Sequence, residues 1–138
     1  MKAQGEFKVT QWNESNLEGF PADMPMSRAS VIYEANGEIA GTFRVEYIMH
    51  YVNLDPNDPH GAQATYLGYM MFTGAIGGKT GSFILEDKGV YGASGPASDL
   101  VIKPGSGKGD FVGISGTGKY YADGEKMIIK IDYTNGNK

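Results

Sequence analysis

Twenty-one of the 138 residues are glycine. In the second half they interrupt alternating polar and apolar runs, as in Gly74-Ala-Ile-Gly77-Gly78-Lys-Thr-Gly81-Ser-Phe83 and Pro104-Gly-Ser-Gly-Lys-Gly-Asp-Phe-Val-Gly-Ile-Ser-Gly-Thr-Gly118. A period of two is the mark of strands, and no window of a dozen residues keeps a helical apolar stripe free of glycine. Glycine inside a strand pattern marks a bulge, a corner or a close backbone contact. The chain therefore reads as all-β, with strands that turn tightly and coil.

At 138 residues the chain is one domain, 1–138, large enough to bury a core without covalent staples. It has no cysteine, which excludes disulfides, thiolate metal sites and cysteine nucleophiles. No apolar leader opens it and no stretch reaches a membrane span, so the expectation is a cytoplasmic protein with no membrane partner. The net charge is −4, with nine acids and four bases in residues 1–69 and seven acids and eight bases after them. Lys79, Lys88, Lys103, Lys108, Lys119, Lys126 and Lys130 fall singly beside glycines or in alternating strands. Neither half is a basic patch, so no nucleic-acid partner is expected.

Along the chain, Phe7, Val9 and Gln11 alternate with Lys8, Thr10 and Trp12 in a first strand. Asn13 to Ser27 reads as a polar, proline-bearing arm with Leu17, Phe20, Met24 and Met26 to bury. A second strand covers about Ser27 to Glu34, and Asn36-Gly37 predicts a type I′ hairpin. The third strand, Glu38 to Val52, places Gly41, Phe43, Val45, Tyr47, Met49 and Tyr51 on one face and Thr42, Arg44, Glu46, Ile48 and His50 on the other. A loop with two prolines follows, then strands over Ala62 to Ala75 and Lys79 to Glu86 turned by Gly77-Gly78, with Asp87-Lys-Gly89 as the next turn signal. Further strands are expected at Val90–Ala93, Asp99–Lys103, Gly109–Ile114, Gly116–Tyr121 and Lys126–Tyr133, with Asp123-Gly124 turning the last pair. About eight strands with short connections favour one closed antiparallel barrel over a two-sheet sandwich, because closure removes edges and glycine kinks supply the coiling.

No motif carries a specific chemistry. Thr73-Gly-Ala-Ile-Gly-Gly-Lys-Thr80 lacks the first glycine of a phosphate-binding loop, and Gly81-Ser-Phe-Ile-Leu is a strand where that loop needs a helix. Gly105-Ser-Gly-Lys-Gly109 is likewise followed by no helix. Asp55, Asn57, Asp58 and His60 crowd one loop, but His60 stands where a calcium loop needs glycine and Tyr66 where it needs glutamate. The only histidines, His50 and His60, make too few ligands for zinc. No cofactor and no metal are expected.

The best chemical candidate is Glu46, mid-strand with Arg44 and Ile48 as same-face neighbours. Inside a barrel it would be desolvated into a general acid or base; on a wet face it would pair across strands with Arg28 or Arg44. Tyr47, Tyr51, Tyr66, Tyr69 and Phe72, with Met49, Met70 and Met71, form an aromatic and methionine-rich band over two long strands. It reads as core, as a subunit interface, or as the lining of a cavity for an apolar molecule. The ligand-binding set is then Arg28, Arg44, Tyr47, Met49, Tyr66 and Met70.

Three blocks carry a family resemblance: Gly41-x-x-x-Val45-Glu46-Tyr47-x-Met49-x-Tyr51; Tyr66-x-Gly68 with Gly74-x-x-Gly77-Gly-Lys79-x-Gly81-Ser-Phe83-x-Leu85; and Pro104-Gly-Ser-Gly107-x-Gly109-x-Phe111-x-Gly113-x-x-Gly116-x-Gly118. They resemble a family of small bacterial proteins carrying a domain of unknown function, whose fold is similar to the eight-stranded barrel of allene oxide cyclases and dirigent proteins. The resemblance covers nearly the whole chain and implies a barrel with a central cavity and frequent homo-oligomers, without an established activity. Met70 stands where that family commonly has an acid, and Lys79 where it commonly has arginine. The related cyclases use a buried carboxylate in a greasy cavity, a role Glu46 alone is carried into here.

Three functions follow as expectations. The first is binding of a small, mainly apolar molecule in the barrel interior. The second is a cyclase or isomerase in which Glu46 moves a proton or steadies a cation, assisted by Tyr66. The third is a filled barrel serving as an assembly unit.

Overall fold

The computed structural model describes residues 1–23, 25–53 and 63–135. Its strands are β1 (Lys2–Asn16), β2 (Met26–Gly37), β3 (Ile39–Asn53), β4 (Gln63–Ile76), β5 (Lys79–Gly92), β6 (Gly95–Ile102), β7 (Lys108–Gly109), β8 (Ser115–Asp123) and β9 (Lys126–Thr134). Eight of them form a ring in the order β4-β3-β2-β1-β9-β8-β6-β5, and pairing of β4 with β5 closes it. The short β7 hooks onto β5 from outside the ring. Every pairing is antiparallel, and no helix occurs among the described residues. The closed barrel read from the sequence is the fold.

Alternation decides which side chains enter. On β3, Phe43, Val45, Tyr47 and Met49 are buried while Arg44, Glu46 and Ile48 are exposed. The wall bends where glycines line up across four strands: Gly41 pairs with Gly74, Gly74 with Gly81, and Gly81 with Gly109. A Cβ on Gly74 would sit 2.2 Å from the Ala40 carbonyl oxygen and 2.7 Å from the Gly41 Cα. Only bare backbone allows strands to approach that closely at a barrel corner.

Several local readings change. Gly77 and Gly78 hold φ of 58° and 86° and join the Ile76–Lys79 pair, the two-residue turn expected. At Asn36-Gly37 the chain does reverse, but only Gly37 has positive φ and Ala35 already pairs with Gly41, so the turn is not type I′. Only the first four residues of the expected arm, Asn13 to Asn16, belong to β1, which runs along β2, and Phe20 stays exposed. A register shift between Val9 and Gln11 also turns Trp12 inward with Val9, opposite buried Val31 and Tyr33. Strict alternation had put Trp12 on the other face; one bulge reverses it.

Asp87-Lys-Gly89 is no turn but lies within β5, which continues to Gly92 and absorbs the strand expected at Val90. Of the strand expected at Gly109 to Ile114, only Gly109 pairs, as the end of β7; the remainder is not a strand. Positive φ at Gly105, Gly109 and Gly113 folds this segment into turns, and buried Phe111 packs its ring 5.2 Å from that of Phe83 and 6.4 Å from that of Phe72. Phe111 and Ile114 thereby plug one end of the barrel. Asp55, Asn57, Asp58 and His60 lie outside the described residues.

Candidate functional site

The barrel is filled at the plugged end by Phe43, Phe72, Phe83, Met70 and Leu85, all essentially inaccessible. Towards the other end the packing opens into a cavity of about 140 Å³ lined by Val9, Trp12, Tyr33, Tyr47, Met49, Tyr66, Tyr91, Pro96 and Met127. Trp12, the single tryptophan, stands at its mouth with its ring 6.4 Å from that of Tyr47. Its indole Nε1 donates to Glu14 Oε1 at 3.1 Å, and Glu14 also accepts from Ser27 and Tyr51. Broader depressions crossing the outer wall around Ile48, Leu67 and Lys88 lie open to solvent.

Beneath the cavity sits a polar cluster. Tyr120 donates its hydroxyl hydrogen to Asp87 Oδ2 at 2.9 Å, its oxygen is 2.5 Å from that of Tyr47, and Tyr47 is 3.1 Å from the Tyr33 oxygen. The Tyr66 hydroxyl pairs with Ser98. Missing side chains make the room. A Cβ on Gly68 would meet the Tyr47 ring at 2.9 Å, and one on Gly89 would lie 2.5 Å from both the Tyr66 and Ser98 oxygens. Each glycine occupies an inward strand position where any larger residue would displace the cluster.

Asp87 is 2% exposed and is the only buried charged residue among those described. Burial pushes its carboxyl up to about 6, against the opposing pull of the Ser98, Tyr120 and Tyr47 hydroxyls. Its second oxygen, Oδ1, accepts no hydrogen bond. Burial likewise raises Tyr33 to about 12 and carries Tyr47 and Tyr120 well above the ordinary tyrosine value, so all three remain neutral hydroxyls.

The candidates read from the sequence divide between the two faces. Tyr47, Met49 and Tyr66 line the cavity. Met70 is buried but belongs to the filled end. Arg28, Arg44 and Glu46 stand on the outer wall. Arg28 Nη2 lies 2.9 Å from Glu46 Oε1, which Ser30 also donates to, and that hydroxyl foremost holds the Glu46 carboxyl below its ordinary value. Glu46 therefore makes the cross-strand ion pair and does not enter the barrel. The acid that does enter is Asp87, which the turn-like Asp-Lys-Gly triplet concealed. Its sequence signal was its place in the alternation Phe83, Leu85, Asp87. No group of three or more metal-ligating acids or histidines is found among the described residues.

A solved structure of a protein of unknown function from Shewanella oneidensis MR-1, described as a DUF3224 family member, is similar over 97% of this chain and 96% of its own, with a TM-score of 0.80 and 20% identity. At that identity it speaks for the fold alone. No curated protein matches. A profile described as "Protein of unknown function (DUF3224)" matches residues 3–133, and the chain belongs to that family.

Proposed function

We propose that the barrel binds one small, mainly apolar molecule in the cavity above Tyr33, Tyr47 and Tyr66. The observation that carries this reading is the cavity of about 140 Å³, its surface almost wholly apolar, with Met49, Met127, Val9 and Pro96 on its walls beside the tyrosine rings. A void of roughly 150 Å³ takes a benzene ring, so the guest is of single-ring size. Methionine walls adapt to irregular outlines, and the near absence of polar surface favours an apolar guest. Glu46, turned outward and ion-paired, has no part in this reading.

Trp12 provides the assay. Titration with benzene and toluene is expected to change its emission saturably, and Met127→Trp, which fills the mouth, is expected to abolish the response in a protein that still unfolds cooperatively. Native mass spectrometry of freshly purified protein would reveal a retained guest by its added mass. No saturable response from either probe, or an unaltered one in the folded Met127→Trp variant, overturns the reading.

A further inference from the structure

The outer wall of the barrel is only partly polar. From β3 to β6 it exposes Ile48, Leu67, Tyr69, Met71 and Val101, each between 41% and 59% accessible. Register sets them side by side. Ile48, Leu67, Lys88 and Asp99 form one row across the four strands, and Glu46, Tyr69, Glu86 and Val101 form the next. A broad, open depression of about 750 Å³ lies along these two rows. A contiguous apolar patch rimmed by charge is the mark of an interaction site.

We propose that this wall binds a second copy of the chain, face to face, about a two-fold axis that crosses the strands level with Gly68. The charges select both the partner and the axis. Glu86 and Lys88 stand on the exposed face of β5, and among the described residues neither makes an ion pair. The axis exchanges the two rows, so Glu86 of each copy meets Lys88 of the other. Leu67 of each copy then meets Tyr69 of the other at the centre, and exposed Val90 meets half-buried Ile84. Glu46 falls opposite Ile48 with its charge already held by Arg28. At the rim, where water reaches, Asp99 falls opposite Val101 and His50 opposite Arg44. An axis along β4 would instead set Glu46 against Glu86, two like charges. An isologous contact of this kind is self-complementary, and sheets pack face to face through such surfaces. Four strands and four outward positions along each give a face of about 20 Å by 27 Å. Two such faces bury about 1,000 Å², the lower edge of specific interfaces, so the dimer forms at micromolar concentration. The inference does not depend on lumenal binding.

The test is sedimentation equilibrium of the full chain from about 1 to about 200 µM, with urea unfolding to show that each variant is folded. The natural chain is expected to pass from 14.8 kDa towards twice that mass as concentration rises. Leu67→Asp, which places a charge at the centre of both faces, is expected to weaken association by about a hundredfold. Glu86→Lys and Lys88→Glu bring like charges together across the axis, and each alone is expected to weaken it by about tenfold. Mixed in equal amounts, these two variants are expected to form a mixed dimer of natural affinity, because each supplies the charge the other lacks. A natural chain that stays at monomer mass throughout, bare or carrying another molecule, overturns the proposal. So does a dimer that folded Leu67→Asp leaves intact, or charge variants that fail to pair when mixed.

Discussion

At the scale of single residues, Asp87 and Glu46 show how one face of a strand decides the chemistry of a carboxylate. Asp87 is held in the folded state at about 6, above the ordinary 3.8. Between those values the native protein binds more protons than the unfolded chain, so this group's contribution is fully present below pH ~4 and lost as pH rises through ~6. The penalty above that window is on the order of 3 kcal/mol for a shift of about two units. Urea titrations across this range are expected to show stability falling with rising pH for the natural chain and a flatter profile for Asp87→Asn. Glu46 is the opposite case, with its side chain 46% exposed and paired to an Arg28 that is 60% exposed. Solvent screening leaves such a pair little net worth, so Glu46→Gln is expected to shift the urea midpoint by less than the equivalent of about 1 kcal/mol. Both residues sit in alternating runs, and the register that puts one inside and one outside is not written in either residue.

At the scale of elements, the glycine row and the β1 bulge shape the wall. Gly74→Ala drives a Cβ into the Ala40 carbonyl and the Gly41 backbone. A stability loss of about 1–3 kcal/mol is expected, as for other overpacked sites. Gly92 has nothing within 4 Å of an added Cβ. Gly92→Ala should leave stability unchanged or raise it by up to about 1 kcal/mol through the unfolded chain. Denaturant midpoints of the two variants separate a glycine needed for close approach from one that is merely permitted. The strand pattern of β2 through β4 and the Gly77-Gly78 turn were legible, because alternation and turn chemistry are local. The bulge that brings Trp12 over the cavity was not, since a single unpaired residue leaves the composition of β1 unchanged. The 109–114 segment misread as strand for a related reason: Phe111 and Ile114 are apolar because they plug the barrel.

At the scale of the whole molecule, closure is a property of the ends. β1 is flanked by β2 and by β9, so the last strand seals a ring that consecutive hairpins begin. Removing residues 126–138 would expose the edges of β1 and β8 together and uncover Phe7 and Ala3. Circular dichroism and size-exclusion chromatography of the truncated chain are expected to show loss of cooperative unfolding and aggregation through those edges. The all-β class and the closed barrel were determined by the sequence itself, through alternation and glycine placement, which act over a few residues. Which carboxylate lies inside, how deep the filled end reaches, and how three tyrosines and Asp87 align were decided only by the tertiary structure. Tyr33, Tyr47, Asp87 and Tyr120 come from four strands, and their meeting depends on register around the ring, where a slip of one residue exchanges inside for outside.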